Sequence, residues 1–211
     1  MPATADPRFE RLWRDLGARG EAAAAFADLE ARYREPARAY HTLEHVRDCL
    51  ALLDSVRALA ADPVAVEAAL WFHDAVYDAR AKDNEERSAA LAREALGRAG
   101  VGEPRLARIE RLVLETKHSA APAAGDAALV VDLDLSILAA ERERFERYEA
   151  GIRKEYGHLP DEAYRSGRAE FLKRFLAREH LFATEAMRER FEGRARTNLE
   201  RSLQSLLSSR R

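Results

Sequence analysis

The chain has 211 residues with 35 basic and 37 acidic side chains, a formal net charge of −2. That length suits one well-buried domain and is short for two, and a balanced, mixed-sign charge excludes a general binder of nucleic acid or acidic membranes, which would carry a basic excess. Alanine fills 42 positions while Val, Ile and Thr together fill 17, which excludes most β-rich folds, because strands draw on β-branched side chains and helices favour Ala, Leu, Glu and Arg.

Gly, Pro and capping residues divide the chain into about nine helices with short joints. Helices are expected at residues 7–18 and 21–34, then from about 39 to between 56 and 60, before Asp62-Pro63, a cap followed by proline at the first helical position. The next, 64–77, is apolar nearly all round and belongs at the centre of the domain. A polar loop at 78–83 leads to helices at 84–98 and 104 to about 117, then to an Ala/Pro/Gly loop at 119–125. A helix containing 129–140, continued by a charged amphipathic stretch over 141–156, and two long helices at 161–182 and 184–207 complete the chain. The expectation is an all-α helical bundle forming a single domain over 1–211, with a core at about 38–182 and the C-terminal helix packed on it.

Cys49 is the only cysteine, so no internal disulfide or zinc ribbon can form, and a reducing, cytoplasmic setting fits best. The start of the chain has no basic segment followed by an apolar run, so no secretory signal is expected. Its apolar runs, such as those at 68–72 and 127–131, fall far short of the roughly 20 residues that span a bilayer. A soluble protein without a membrane partner is expected.

Three segments carry chemistry. In Tyr40-His41-Thr42-Leu43-Glu44-His45 the histidines are four apart, one turn along a single helical face. In Trp71-Phe72-His73-Asp74 a His-Asp pair interrupts the most apolar helix, where an unpartnered carboxylate would be costly, so Asp74 should face a cation or strong donor. In Val130-Val131-Asp132-Leu133-Asp134-Leu135-Ser136, helical spacing turns Asp134 inward and leaves Asp132 a helix-start or solvent position. A site built from these groups offers nitrogen and oxygen ligands without a thiolate. It suits Mn, Fe, Mg, Ni, Co or Zn and does not choose among them.

The order His45, His73-Asp74, Asp134 resembles the H…HD…D signature of the HD superfamily of metal-dependent phosphohydrolases. Tyr40-His41 followed by His45, the His-Asp pair and Asp134-Leu135-Ser136 is similar to the metal site of cyclic-nucleotide phosphodiesterases. Val46 after His45, and Tyr77 and Asp78 where those enzymes carry a further histidine, set the chain apart from them. From about Tyr40 to Leu206 it resembles a branch of small bacterial HD proteins described as predicted phosphohydrolases. The resemblance implies an HD-type bundle in which His45, His73, Asp74 and Asp134 ligate one or two divalent ions, with Asp74 also catalytic and His41 the general acid.

It further implies hydrolysis of a nucleotide or other small phosphorylated metabolite by water activated at the metal. His118 and Lys117, with Arg153, Lys154 and Arg168, lie in segments that could return to the site and bind that substrate. A nucleic-acid polymer is not expected as partner, and a homodimer stays open. Two other readings compete, a di-iron oxygenase on the same scaffold and a non-catalytic nucleotide-sensing or interaction protein. A zinc peptidase is disfavoured, because Glu44 precedes the second histidine where His-Glu-x-x-His requires it to follow the first.

Overall fold

A computed structural model describes residues 6–118 and 122–208. Among the described residues all regular structure is helical, in keeping with the expected class. The α-helices are α1 (Pro7–Asp15), α2 (Ala22–Tyr33), α3 (Leu43–Val56), α4 (Pro63–Phe72), α5 (Asn84–Arg98), α6 (Glu103–Glu115), α7 (Asp126–Asp134), α8 (Arg142–Glu155), α9 (Asp161–Leu176) and α10 (Glu185–Ser208). Short 3₁₀ turns follow α3 at Arg57–Leu59 and α7 at Leu135–Ala139.

Helix α4 is the axis of the fold. Asp62 caps it by accepting the Ala65 amide at 3.0 Å, and Pro63 supplies the pre-set first turn. Every residue from Ala65 to Phe72 is buried, and α1, α3, α5, α6 and α7 all pack against it. Trp71 and Phe72 are each removed from water almost completely, a burial that stabilises by about 1.5–3 kcal/mol per large side chain. Glu67, the one acid on this helix, is neutralised at its rim by Arg8 at 2.9 Å and Arg57 at 2.7 Å.

The core reaches further toward the N-terminus than residue 38. Phe9 of α1 meets Trp71 edge-on at 5.3 Å, and Phe26 of α2 meets the same indole at 5.9 Å. At the other end α10 buries Met187, Phe191, Ala195 and Leu199.

Several helix ends differ from the sequence expectation, and three of them shape the site. Thr42 is the cap of α3, accepting the Glu44 amide, so residues 39–42 form a turn and His41 precedes the helix. His41 and His45 therefore do not share a helical face. Helix α4 ends at Phe72, which puts His73 and Asp74 in the turn beyond it. Helix α7 ends on Asp134, its last residue, short of the expected 140. Helix α9 stops at Leu176, where the Arg196 guanidinium takes the carbonyls of Leu176, Arg178 and Glu179 at 3.2, 2.8 and 2.8 Å.

Candidate metal centre

His45 lies in the first turn of α3, His73 and Asp74 follow the C-terminus of α4, and Asp134 closes α7. The position of the two carboxylates is informative. A helix C-terminus carries partial negative charge, where a cation is stabilised and an anion is not. Two acids at two such ends, pointed at one spot, require positive charge between them.

His45, His73 and Asp74 offer ligand atoms that all lie within 4.8 Å of one another. The two imidazole Nε2 atoms face each other at 3.2 Å. Asp74 Oδ2 is 3.0 Å from His73 Nε2 and 3.7 Å from His45 Nε2, while Asp134 Oδ1 is 3.0 Å from His45 Nε2 and 3.6 Å from His73 Nε2. The far nitrogens are already engaged, since His73 Nδ1 donates to the Leu70 carbonyl at 2.9 Å and His45 Nδ1 meets the Tyr40 hydroxyl at 2.9 Å. Each ring is thereby oriented by a hydrogen bond on its outer nitrogen, as ligating histidines are. Bonds of about 2.0–2.2 Å to one ion put neighbouring ligands roughly 3.0–3.5 Å apart in octahedral or tetrahedral geometry. The observed spacings of 3.0–3.7 Å lie within or just above that range, and the residues fit a divalent cation.

Electrostatics agree. Burial pushes the carboxyls of both Asp74 and Asp134 up. Against it, the charges of His73 and His41 carry Asp74 well below the usual carboxylate range, and hydrogen bonds from His118, His45 and His73 do the same for Asp134. Both acids stay ionised. Cys49 approaches His45 Nδ1 at 3.7 Å, but burial and the nearby Asp134 charge push its thiol up, so it remains protonated and donates to the Leu133 carbonyl at 3.5 Å. The donor set is nitrogen and oxygen only.

His41 stands beside this quartet, held by an acid that has no mark in the linear sequence. Glu155 Oε1 accepts the amides of Ala39, Tyr40 and His41 at 2.8, 2.8 and 3.0 Å, and its Oε2 accepts from His41 Nδ1 at 2.7 Å and the Tyr77 hydroxyl at 3.0 Å. Gly151 permits the approach. A Cβ there would sit 3.1 Å from Tyr40 Cβ, and Glu155 follows one turn later on the same face of α8. Burial lowers the His41 pKa, but the Asp74 charge and the Glu155 hydrogen bond outweigh it and raise it. Within the charged amphipathic stretch over 141–156, Glu155 could be found only through its contacts.

Arg38 is the second such residue. Its guanidinium is almost wholly buried and donates to the carbonyls of His41, Asp74 and Ala75 at 3.2, 2.6 and 3.1 Å. It ties the turn before α3, which carries His41, to the turn after α4, which carries His73 and Asp74.

A cavity of about 900 Å³ opens beside the quartet, with His41, His118 and Asp134 in its wall. His118 Nε2 lies 2.8 Å from Asp134 Oδ2, its Nδ1 is buried without a hydrogen-bond partner among the described residues, and its backbone is left-handed at φ 52°. Lys117 lines the cavity while paired with Glu86, and Arg168 lines it while paired with Glu149 and bonded to the Tyr148 hydroxyl at 2.8 Å. Glu85 is also in the wall.

Arg153 and Lys154 are not brought to the site. With Ile152 and Glu155 facing inward, the intervening positions of α8 turn away. Arg153 closes the helix end by donating to the carbonyls of Tyr156 and Leu159 and to Asp161, and Lys154 is exposed. Asp132 is also corrected. It is completely buried, accepting the Ala183 amide at 2.6 Å and the Thr184 amide and hydroxyl at 2.7 and 2.6 Å, so it is neither a ligand nor a solvent residue and anchors the start of α10.

In comparisons with protein-family models, curated proteins and solved structures, none matches this chain. The site's own chemistry therefore carries the functional reading.

Proposed function

We propose that this protein is a metal-dependent phosphohydrolase acting on a nucleotide or other small phosphate ester, of the kind the His45, His73-Asp74, Asp134 order resembles. The observation that carries the reading is a two-histidine, two-carboxylate quartet beside a cation-lined cavity of about 900 Å³, within the size range of small-ligand sites. His45, His73, Asp74 and Asp134 would hold the ion, which when bound lowers the pKa of water and offsets charge on a phosphoryl oxygen.

The chain's own residues do the rest. Glu155 fixes the His41 ring through Nδ1 at 2.7 Å, and the ring stacks on Tyr77 with centroids 4.0 Å apart. That leaves Nε2 as the free edge. The raised His41 pKa favours a protonated imidazole, suited to giving its proton to the oxygen that departs as the phosphorus–oxygen bond breaks. Water supplies the oxygen that phosphorus gains.

The test is purification without chelator, metal analysis, and a panel of phosphate esters and nucleotides assayed with Mn, Mg, Fe, Co, Ni and Zn. Wild type should carry divalent metal and hydrolyse at least one ester, and Asp74→Ala should do neither. Wild type free of divalent metal, with turnover indistinguishable from Asp74→Ala, defeats the proposal. Tight nucleotide binding without hydrolysis under every metal would instead indicate a sensing protein.

A further inference from the structure

The cavity concentrates positive charge in a chain whose overall balance is slightly acidic. Five cationic side chains line it, Lys82, Lys117, Arg168, Arg174 and Arg178, against the acids Glu85 and Asp134. Lys117 and Arg168 are neutralised by Glu86 and Glu149. Arg174 and Arg178 form no ion pair among the described residues, and Glu170, the acid one turn before Arg174, is bonded to Lys173 at 2.8 Å.

Arg174 lies in the last turn of α9 and Arg178 two residues beyond its end, near enough for the Arg174 charge to act on Arg178. Arg178 is half-buried, its guanidinium 4.0 Å from the centre of the Phe175 ring and donating to the His118 carbonyl at 3.2 Å. Burial and the Arg174 charge both weaken its hold on its proton. Arg178 is thus held over the Phe175 ring beside Arg174, with no carboxylate paired to either among the described residues. His118 joins the pair to the quartet, with its carbonyl on Arg178 and its Nε2 on Asp134.

We propose that Arg174 and Arg178 form an anion subsite separate from the metal quartet, which binds a phosphate group in the non-reacting part of the substrate. Two guanidiniums offer the forked donors that match phosphate oxygens. The inference deepens the phosphohydrolase reading and rests on it for the word substrate. It makes that substrate one with two anionic groups, a diphosphate or a bisphosphorylated metabolite, in preference to a simple monoester.

Anion binding in the absence of metal separates the two ideas. Protein stripped with EDTA is titrated with inorganic pyrophosphate by calorimetry at low salt, using wild type, Arg174→Gln, Arg174→Gln/Arg178→Gln and Asp74→Asn. Saturable one-to-one binding is expected in wild type and in Asp74→Asn. It should weaken at least about tenfold in Arg174→Gln, as loss of a charge-assisted hydrogen bond predicts, and disappear in the double variant. Arg174 is exposed at the helix end, so its substitution leaves the packing intact. Absence of wild-type binding, unchanged binding in Arg174→Gln, or equal loss in Asp74→Asn each overturns the subsite. Failure of the hydrolase reading would appear in metal content and turnover, which this titration does not use.

Discussion

Glu155 shows how one side chain can organise a reactive neighbour. Burial alone would raise its pKa, but the His41 hydrogen bond and charge, with the amides above it, lower it to about 2. A carboxyl whose folded pKa lies below its ordinary value near 4.5 contributes stability that is present above that value and lost as pH falls through it toward about 2. Glu155→Gln is therefore expected to destabilise by about 3 kcal/mol at neutral pH, as breaking a buried pair does, with the gap to wild type closing as pH is lowered from about 5. Urea titrations across that range check it, and a pH-independent gap would show that the amide bonds dominate over the charge. His41→Ala, by contrast, should keep metal content and depress turnover by about 10²–10⁴-fold. Loss of metal together with activity would make His41 a ligand and remove its role as proton donor.

At the scale of elements, the site is made from helix ends, and each end is fixed by something other than its own helix. Asp62 and Pro63 start α4, yet Arg38 from a different segment holds the turn that finishes it. Asp126 takes the Ala61 and Asp62 amides at 2.7 and 3.0 Å, so the start of α7 also secures the start of α4. Asp132 does the same between α7 and α10. Its three short hydrogen bonds leave buried donors behind when removed, at about 1–3 kcal/mol for each unsatisfied group. Asp132→Ala should cost roughly 2–4 kcal/mol in urea titration, with amide exchange in the first turns of α10 accelerated before that of α4. A change within about 0.5 kcal/mol, typical of a surface substitution, would contradict the anchoring role.

For the molecule as a whole, three helices bring two ionised carboxylates and two imidazoles into one small volume, and a cation that binds only the folded arrangement stabilises all of it. At a free metal concentration near 100 times Kd the linkage is about 2.7 kcal/mol, roughly 5–10 °C in Tm for a domain of this size. Thermal melts with and without Mn²⁺ should show that rise in wild type and none in Asp74→Ala. A wild-type Tm insensitive to every divalent ion would remove the metal from the folding equilibrium. No described helix is long and apolar enough to cross a membrane. The all-α class and the buried central helix were legible in composition and periodicity, because apolar spacing and alanine content are local properties. His73, Asp74 and Asp134 were conspicuous for a related reason, being polar groups set in apolar runs that a core cannot absorb unaided. Glu155, Arg38 and Arg178 sit among charged neighbours that look alike along the chain, and only tertiary packing distinguishes a buried carboxylate or guanidinium from a solvated one. The sequence by itself determined that acids would have to be buried in this helical protein; the tertiary structure decided which groups meet them, because burial and charge compensation depend on neighbours distant in the chain.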